Sequence, residues 1–346
     1  MKAMVVTQYG APLAPRELPD PALAPGHALL EVLACGVCFS DVKIARGRMP
    51  FSADLPLPHV PGHEICGRVL ETDPAGALAP GTRVVVYNVF PCRRCDRCRA
   101  GEEQICRNPE QRAGFTDPGG FRERIAVPLD RLLEVPDGID AAHAAPMTCA
   151  LGTAYRAVVT RGAVTAGARV AVIGIGGVGI HALQIACAAG AAAVGVDRAA
   201  AALEAARGLG LDARAGSDDV AGVLLEESSG QGYDVVVDTV GSPSTMTTAD
   251  RLVRPGGRIV VVGYAVGSSL ELPSARLVLE EVQVIGSRYA RRSEMEQAIR
   301  LVADGRVQMV VDRVLDLDQA GEAIETLEDG GVVGRLVLRV GEEAPR

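Results

Sequence analysis

The N-terminal part of the chain alternates short apolar runs with Pro and Gly turns. Ala3–Val6 and Ala28–Leu33 are such runs, and Gly81–Val86, Phe121–Val127 and Leu132–Val135 continue the pattern. Short apolar runs bounded by turn residues are typical of strands joined by tight connections. Up to about residue 140 the pattern therefore predicts a β-rich region with long loops.

Beyond that point the pattern predicts strands that alternate with helices. The predicted strands are Arg169–Ile173, Ala193–Val196, Asp234–Val237 and Arg258–Val262. The predicted helices are 141–145, 152–159, a segment ending near 189, 200–208 and 244–253. Alternation at this spacing indicates a parallel sheet with right-handed crossovers. From about residue 287 we predict one helix at 293–303, short strands, and a strand at Arg335–Val340. The fold class is therefore α/β, with a β-rich domain and a doubly wound parallel sheet.

Composition and charge narrow the functional classes. The chain has 346 residues, which favours two domains, and its hydrophobic fraction of 48% is enough for substantial cores. A net charge of −8 argues against a nucleic-acid partner, which needs a basic face. No apolar run reaches the roughly 20 residues of a membrane span. The first residues read as a strand rather than a signal peptide, so we expect a cytoplasmic protein.

Four cysteines lie close together at C-x2-C-x2-C-x7-C spacing. They are Cys92, Cys95, Cys98 and Cys106. Thiolates at such gaps can converge on one tetrahedral zinc ion at about 2.3 Å per bond, and four sulfurs leave no open position. The alternatives are disulfides, which need an oxidising compartment, or separate core cysteines. The spacing favours a structural zinc site.

A glycine-rich loop follows the first strand of the predicted parallel sheet. It contains Gly174, Gly176, Gly177, Val178 and Gly179, and a predicted helix comes directly after it. In this setting Gly174 allows a tight turn, Gly176 lets the backbone approach a pyrophosphate, and Gly179 lets the helix pack closely. The helix N-terminus would then face the phosphates. The alternative is a glycine-rich turn in a sheet that binds nothing.

The acid that ends the next strand predicts the choice of cofactor. Asp197 can accept hydrogen bonds from both adenosine ribose hydroxyls, and its charge would repel a 2′-phosphate. The neighbouring Arg198 softens this preference without reversing it. The sequence thus favours NAD over NADP.

Five cysteines lie outside the four-cysteine cluster, and each taken singly is more often a small core residue than a ligand. Cys38 differs because it lies in a polar loop beside Ser40 and Asp41. His63 lies between a Pro-Gly turn and Glu64, and Cys149 lies where the β-rich region ends. Two thiolates and one imidazole would leave a fourth position for substrate, the pattern of catalytic zinc. Cys35, Cys66 and Cys187 are interpreted as core residues.

Taken together, these motifs resemble the zinc-dependent medium-chain alcohol dehydrogenases. Cys38-x-Ser40-Asp41, Gly62-His63-Glu64, the four-cysteine lobe, Cys149 and the glycine loop occur in that family's order, and the resemblance covers essentially the whole chain. It implies a GroES-like catalytic domain at 1–150 with a zinc lobe at 92–106, a Rossmann domain at 151–286, and a C-terminal segment at 287–346 that completes the catalytic domain.

The resemblance also implies roles for individual residues. Cys38, His63 and Cys149 correspond to the ligands of the catalytic zinc, and the four lobe cysteines to the structural zinc, giving two zinc ions per chain. Ser40 corresponds to the hydroxyl that takes the substrate proton, Glu64 to the acid behind the zinc, and Asp41 to the carboxylate that orients the imidazole. Thr153 would lie beside the nicotinamide. Arg335 would reach the pyrophosphate, with a surface arginine as the alternative.

Two positions depart from the family pattern. Many relatives have a His five residues after the first ligand, where this chain has Lys43, and a His or Arg where it has Phe39. Lys43 could carry the proton onward, bind a cofactor phosphate or be a solvated surface charge. Water and the ribose hydroxyl could also suffice for the relay. Cys149 as third ligand, where polyol dehydrogenases tend to have Glu, favours an alcohol or aldehyde site.

The predicted activity is reversible hydride transfer between an alcohol and NAD. The alternatives are a biosynthetic reductase of the same family that acts on a carbonyl or iminium group, and a non-catalytic redox sensor that binds zinc and nucleotide. The partners expected are a small alcohol or carbonyl substrate and further copies of the chain, as a homodimer or homotetramer. The apolar segment Leu277–Leu279 near predicted edge strands supports the second expectation.

Overall fold

Strands dominate the N-terminal region of the computed structural model, which describes residues 1–73 and 78–342. The strands are β1 (Lys2–Val5), β2 (Ala14–Glu17), β3 (His27–Val37), β4 (Glu64–Thr72), β5 (Arg83–Val86), β6 (Val89–Phe90), β7 (Gln111–Arg112), β8 (Arg124–Pro128) and β9 (Leu132–Glu134). The short helices are α1 (Phe39–Ala45), α2 (Asp96–Arg99) and α3 (Ala141–Ala144). Single 3-10 turns lie at Ser52–Asp54, Glu103–Ile105, Leu129–Arg131 and Ala145–Thr148. The predicted β-rich region with long loops is confirmed.

The middle of the chain forms a six-stranded, fully parallel sheet in the order β12-β11-β10-β13-β14-β15. Its strands are β10 (Arg169–Ile173), β11 (Ala192–Asp197), β12 (Asp212–Ala215), β13 (Tyr233–Asp238), β14 (Val253–Val261) and β15 (Gln283–Gly286). Its helices are α4 (Ala150–Tyr155), α5 (Gly179–Ala188), α6 (Ala200–Gly208), α7 (Val220–Glu227), α8 (Pro243–Leu252) and α9 (Ser274–Leu279). A π-helical segment, Arg156–Arg161, extends α4. The doubly wound parallel sheet is as predicted.

The C-terminal segment returns to the first sheet. It holds α10 (Arg292–Ala303), β16 (Val311–Asp316), a 3-10 turn at Leu317–Gln319, α11 (Ala320–Asp329) and β17 (Arg335–Arg339). The path β16-β17-β3-β4-β5-β9, with β8 beside β3, makes a seven-stranded sheet. Because β17 runs antiparallel to β3, with Leu336 opposite Val37, the start of β17 lies beside the loop that follows β3. The exact domain boundaries remain a prediction.

Several local predictions were incomplete or wrong. The C-terminal segment contains a second helix, α11, whose Ala323 and Ile324 face the core. The region between α6 and β13 contains β12 and α7, which the sequence pattern did not predict. The apolar Leu277–Leu279 forms the end of α9, between β14 and β15. Cys187 is exposed, so its interpretation as a core residue was wrong, because it lies on the outer face of α5.

Aliphatic side chains form the cores, as the low aromatic content requires. Within the described residues, one cluster packs on the β-rich sheet, a second covers one face of the parallel sheet and continues onto β-rich residues such as Cys66 and Val85, and a third covers the other face of the parallel sheet. Strand residues such as Val172, Val236 and Val237 are fully buried. Both faces of a parallel sheet are normally covered in this way. No helix in the described ranges is long and apolar enough to cross a membrane.

Candidate active site and metal centres

The four-cysteine lobe brings its sulfurs into a compact cluster. The distance between sulfur atoms is 3.5 Å for Cys95–Cys98 and for Cys92–Cys106, 3.9 Å for Cys95–Cys106, and 4.0 Å for Cys92–Cys98. Four ligands at about 2.3 Å from one zinc ion lie roughly 3.8 Å apart, so the sulfurs fit a tetrahedral shell. The backbone N–H of Arg107 is the first cause that lowers the pKa of Cys95, to about 6. The thiolate form of Cys95 is therefore favoured, whereas burial raises the pKa of Cys98 to about 12.

A second cluster lies where β3, β4 and α4 meet. Ligand atoms of Cys38, His63, Glu64 and Cys149 all lie within 4.8 Å of one another. Cys38 follows β3, His63 precedes β4, and Cys149 precedes α4. The sheet thus brings together residues that are far apart in the sequence. Cys38 and Cys149 share a hydrogen bond between their side chains. This bond is the main cause of the lowered pKa of Cys38 and of the raised pKa of Cys149.

Asp41 fixes the geometry of this cluster from behind. Its side chain is fully buried; Oδ2 accepts a hydrogen bond from the Cys38 N–H at 2.8 Å, and Oδ1 accepts one from the Gly62 N–H at 3.1 Å. The same Oδ1 lies 3.3 Å from Nδ1 of His63. A carboxylate in this position sets the tautomer of a ligand histidine and leaves its other nitrogen free to bind a metal.

The environment of the other ring nitrogen of His63 is the feature that points most directly to a metal. Nε2 is buried and has no hydrogen-bond partner among the described residues. An unpartnered buried polar atom costs free energy unless something outside the chain satisfies it. The Phe115 ring packs against the His63 ring, and the two ring centroids are 4.4 Å apart. Neutral imidazole and two thiolates suit zinc, so the residues present fit the ion.

Glu64 lies behind the ligands and pairs with Arg335. The Arg335 Nε donates to Glu64 Oε1 at 3.0 Å, and both side chains are buried. Burial raises the pKa of Glu64 to about 7, while the guanidinium of Arg335 opposes that rise. The Arg335 Nη2 also lies 3.7 Å from the Cys38 sulfur. Arg335 is therefore buried rather than a surface arginine, and it is bound to Glu64, a contact that the sequence did not predict.

The glycine loop follows β10 directly, as predicted. A Cβ at Gly179 would lie 1.7 Å from the Gly174 carbonyl oxygen, so only glycine allows α5 to start so close to the turn. A Cβ at Gly177 would lie 1.6 Å from Nη1 of Arg335, whereas nothing lies within 4 Å of one at Gly176. Arg335 thus contacts both the loop and the metal cluster. The open space beside Gly176 would allow a ligand to approach the backbone there.

Asp197 and His181 hold the loop in place. The Asp197 carboxylate accepts hydrogen bonds from the Ile175 N–H at 2.8 Å and from the Ala199 N–H at 2.9 Å. The buried His181 donates from Nδ1 to the Gly177 carbonyl at 2.8 Å and accepts from the Val310 N–H at 3.2 Å. Burial is the main cause that lowers the pKa of His181 to about 4, so it stays neutral. No motif in the sequence predicts this role of His181.

A cleft of about 1200 Å³ joins the metal cluster to the parallel sheet. Cys38, His63 and Cys149 line it, together with Ser40, Lys43, Thr153 and Val178. Asp197 and the exposed Arg198 lie outside the lining. The Lys43 Nζ donates to the Tyr264 carbonyl at 3.0 Å and lies 3.6 Å from the centroid of the Tyr264 ring, so Lys43 is half-buried in the wall of the cleft. Burial lowers its pKa.

Sequence reasoning missed several cleft residues because they come from separate loops with no spacing motif. They are Asn88, Arg112, Phe115, Tyr264, Arg288 and Tyr289. Asn88 donates its side-chain amide to the His63 carbonyl at 3.3 Å, and its N–H donates to the Tyr289 hydroxyl at 3.3 Å. Only the fold brings these positions to the same cleft.

Comparisons with known proteins agree with the motifs. Residues 24–137 match the family described as alcohol dehydrogenase GroES-like domain, and residues 177–304 match the zinc-binding dehydrogenase family. The chain is 35% identical to an alcohol dehydrogenase of Geobacillus stearothermophilus, over 98% of this chain and 100% of the relative. It is also 35% identical to an NAD-dependent alcohol dehydrogenase of Sulfurisphaera tokodaii, over 98% and 99%.

A solved structure shares the whole architecture. The alcohol dehydrogenase of Aeropyrum pernix superposes with a TM-score of 0.90 at 30% identity, over 98% of this chain and 100% of that one. The predicted fold class, with a GroES-like and a Rossmann part, is confirmed. The chain therefore belongs to the zinc-dependent alcohol dehydrogenases of the medium-chain dehydrogenase/reductase superfamily, a family of oxidoreductases.

Proposed function

We propose that the protein transfers hydride reversibly between a primary or secondary alcohol and NAD, giving an aldehyde or ketone and NADH. The observation that carries this proposal is the buried Nε2 of His63, which has no hydrogen-bond partner in the described part of the chain and lies in a cluster with two cysteine sulfurs. Three ligands leave a fourth position for a substrate oxygen. The same cleft reaches Thr153 and Val178 of the nucleotide-binding half, so substrate and nicotinamide can meet there.

Two zinc ions per chain are part of the proposal. Cys38, His63 and Cys149 would hold one ion, and the four lobe cysteines the other. When bound in an open three-ligand site, zinc supplies Lewis-acid polarisation of an oxygen substrate. Asp41 orients the imidazole of His63, and the Glu64–Arg335 ion pair lies against the ligand residues on the side away from the cleft. The ligand geometry is thus set by the protein.

The remaining steps fall to residues of the cleft. Ser40, which lines the cleft two residues after Cys38, would accept the proton of the substrate hydroxyl. Lys43 lines the same cleft and would pass the proton on, in place of the family's histidine, or would bind a cofactor phosphate. Thr153 would contact the nicotinamide. The cofactor carries out the redox step, while these residues position the reactants and exclude water.

NAD would be held at the glycine loop. The Gly174–Gly179 backbone and the N-terminus of α5 would receive the pyrophosphate, with Arg335 beside Gly177. Each Asp197 oxygen accepts one backbone hydrogen bond and keeps lone pairs for the ribose hydroxyls. Arg198 is exposed beside it. We further propose a reducing cytoplasm as the location, since both cysteine clusters need reduced thiolates.

The direct test is NADH formation with a panel of aliphatic, aromatic, cyclic and polyol alcohols, and NADH consumption with the matching ketones and aldehydes. We expect turnover that a zinc chelator abolishes and added zinc restores. A protein that oxidises no alcohol and reduces no carbonyl, although it binds both zinc and NAD, would contradict the proposal. Turnover of carbonyls alone would favour the reductase alternative.

A further inference from the structure

The active-site cleft is basic although the chain as a whole is acidic. Its lining includes Lys43, Arg48, Arg112 and Arg288, and no Asp or Glu among the described residues lines it. The chain has a net charge of −8, so this local excess of positive charge is not a property of the overall composition. A cleft lined by one sign of charge concentrates ligands of the opposite sign.

Two of these four cations have a partner among the described residues, and the other two form no ion pair with them. Arg48 pairs with Glu328 at 3.0 Å, and Lys43 donates to the Tyr264 carbonyl. Across residues 1–73 and 78–342, Arg112 and Arg288 form no ion pair through their side chains, and the buried Nε of Arg112 has no hydrogen-bond partner. A buried N–H donor without an acceptor is costly, and the Nε of Arg112 therefore indicates that a ligand supplies one.

The positive charge of Arg288 also acts on Arg112. Burial is the main cause that lowers the pKa of Arg112 to about 10, and the positive charge of Arg288 is the second. Burial likewise lowers the pKa of Arg288, although its side chain is open to the cleft. Two like charges close enough to repel each other are stabilised when an anion lies between them.

Arg112 lies near His63, and Arg288 follows the edge strand β15, three strands away from the β10 strand that precedes the glycine loop. Arg112 ends β7, three residues before Phe115, whose ring packs against that of His63. Arg288 precedes Tyr289, whose hydroxyl binds Asn88, and Asn88 in turn binds the His63 carbonyl. The pyrophosphate of a dinucleotide at the Gly174–Gly179 loop is therefore not their natural partner.

We infer that the substrate carries an anionic group, a carboxylate or a phosphate, which Arg112 and Arg288 bind while its hydroxyl or carbonyl group faces Ser40 and His63. This inference rests on the proposed function and specifies its substrate class. The planar fork of arginine binds two oxygens of either anion at once, which a neutral alcohol cannot offer. The pair would act as a specificity element for the end of the substrate away from the reacting carbon.

The test compares wild-type turnover of ω-hydroxy carboxylates, ω-hydroxyalkyl phosphates and unsubstituted 1-alkanols, each series with increasing chain length. We expect kcat/KM for one anionic series to exceed that of the matching alkanol by about tenfold or more, mainly through KM. Preference for carboxylate or for phosphate identifies the anion. Equal kcat/KM for anionic and neutral members at every length would overturn the inference while leaving the proposed function intact.

Variants locate the effect. Arg112→Gln and Arg288→Gln should each reduce the ratio of anionic to neutral kcat/KM by about tenfold, and Arg112→Lys should restore part of it. Arg313→Gln, which removes an exposed arginine paired with Asp312 outside the cleft, should leave the ratio unchanged. A rise only in KM for NAD in the two cleft variants would assign these arginines to the cofactor and overturn the inference.

Calorimetry decides the point without turnover. We expect unbranched dicarboxylates or alkyl phosphates to bind the wild-type complex with NADH, and to bind about tenfold more weakly to Arg288→Gln. If no alcohol or carbonyl reacts but these anions bind through the arginines, the proposed function fails and the anion site stands. If neither anion binds wild type, the anion site is refuted whatever the activity.

Discussion

His63 shows what a single residue can and cannot reveal in the sequence. The Gly62-His63-Glu64 motif indicates a functional histidine only through its resemblance to a family, because a lone histidine is equally compatible with a core position. The structure adds the reason: Asp41 holds one nitrogen, and the other is buried with no partner among the described residues. By contrast, Arg112 and Arg288 were not predicted, since nothing local distinguishes them from surface arginines.

Asp197 carries the predicted choice of cofactor. Asp197→Gly should raise KM for NAD about tenfold or more and improve use of NADP, because the variant loses the ribose hydrogen bonds and the repulsion of a 2′-phosphate. Steady-state kinetics with both cofactors measures this. Asp218→Gly, which removes an exposed acid before α7, is the matched control and should change neither KM. A wild-type enzyme that already prefers NADP would show that Asp197 is misinterpreted.

The proposed role of Lys43 in proton transfer can be tested by its pH dependence. Burial lowers its pKa, which favours the neutral amine that a proton acceptor needs. If Lys43 carries the proton away from the substrate, kcat for alcohol oxidation should increase as the pH rises through the lowered pKa of Lys43. Lys43→Ala should abolish this increase. Lys43→Arg should fail as well, because a guanidinium stays protonated. Recovery by Lys43→Arg, with a change confined to KM for NAD, would assign Lys43 to a cofactor phosphate instead.

At the scale of elements, predictability follows how local the determining interactions are. The strand, glycine turn and helix at 169–188 were predicted because the glycines are required by the turn itself. β12 was missed because Asp212-Ala-Arg-Ala215 lacks β-branched residues and becomes a strand only by pairing with β11. α11 was missed because its buried face is formed by small residues, Ala320 and Ala323 with Ile324.

The cysteine lobe has little packing of its own, so we predict that a bound zinc ion stabilises it. α2 has a single turn, and no residue of that turn is buried, so packing contributes little. Cys95→Ala should lose one zinc ion and lower Tm by about 5 °C or more, because binding of a structural zinc contributes directly to folding. Scanning calorimetry with metal analysis measures both. Cys187→Ala, which removes an exposed thiol outside both clusters, should change neither, and an unchanged Tm for Cys95→Ala would refute a structural role.

At the scale of the whole molecule, the strand order explains why the C-terminal segment matters for the site. β17 pairs with β3, and this places Arg335 against both Glu64 and Gly177. The sequence could assign Arg335 only through resemblance, because the order of strands in a sheet is not encoded by local pattern. The contact gives the segment a role in joining the metal cluster to the glycine loop.

The outer edge of the parallel sheet bears on assembly. β15 is the edge strand, and Val278, Leu279 and Val284 near it are exposed, with Leu279 at 81%. An apolar sheet edge of this kind is often paired across a two-fold axis. Light scattering should therefore give the mass of a homodimer or homotetramer, and Leu279→Glu should shift it toward the monomer. A monomeric mass for wild type would contradict the prediction.

The central claim is that Cys38, His63 and Cys149 hold a zinc ion on which oxidation of an alcohol by NAD depends. Its most direct test is zinc content measured beside NADH formation, for wild type and for Cys38→Ala. We predict two zinc ions and turnover for wild type, and one zinc ion, no detectable turnover and retained NAD binding for the variant. A wild type with a single zinc ion, or a Cys38→Ala variant that still forms NADH at the wild-type rate, would contradict it.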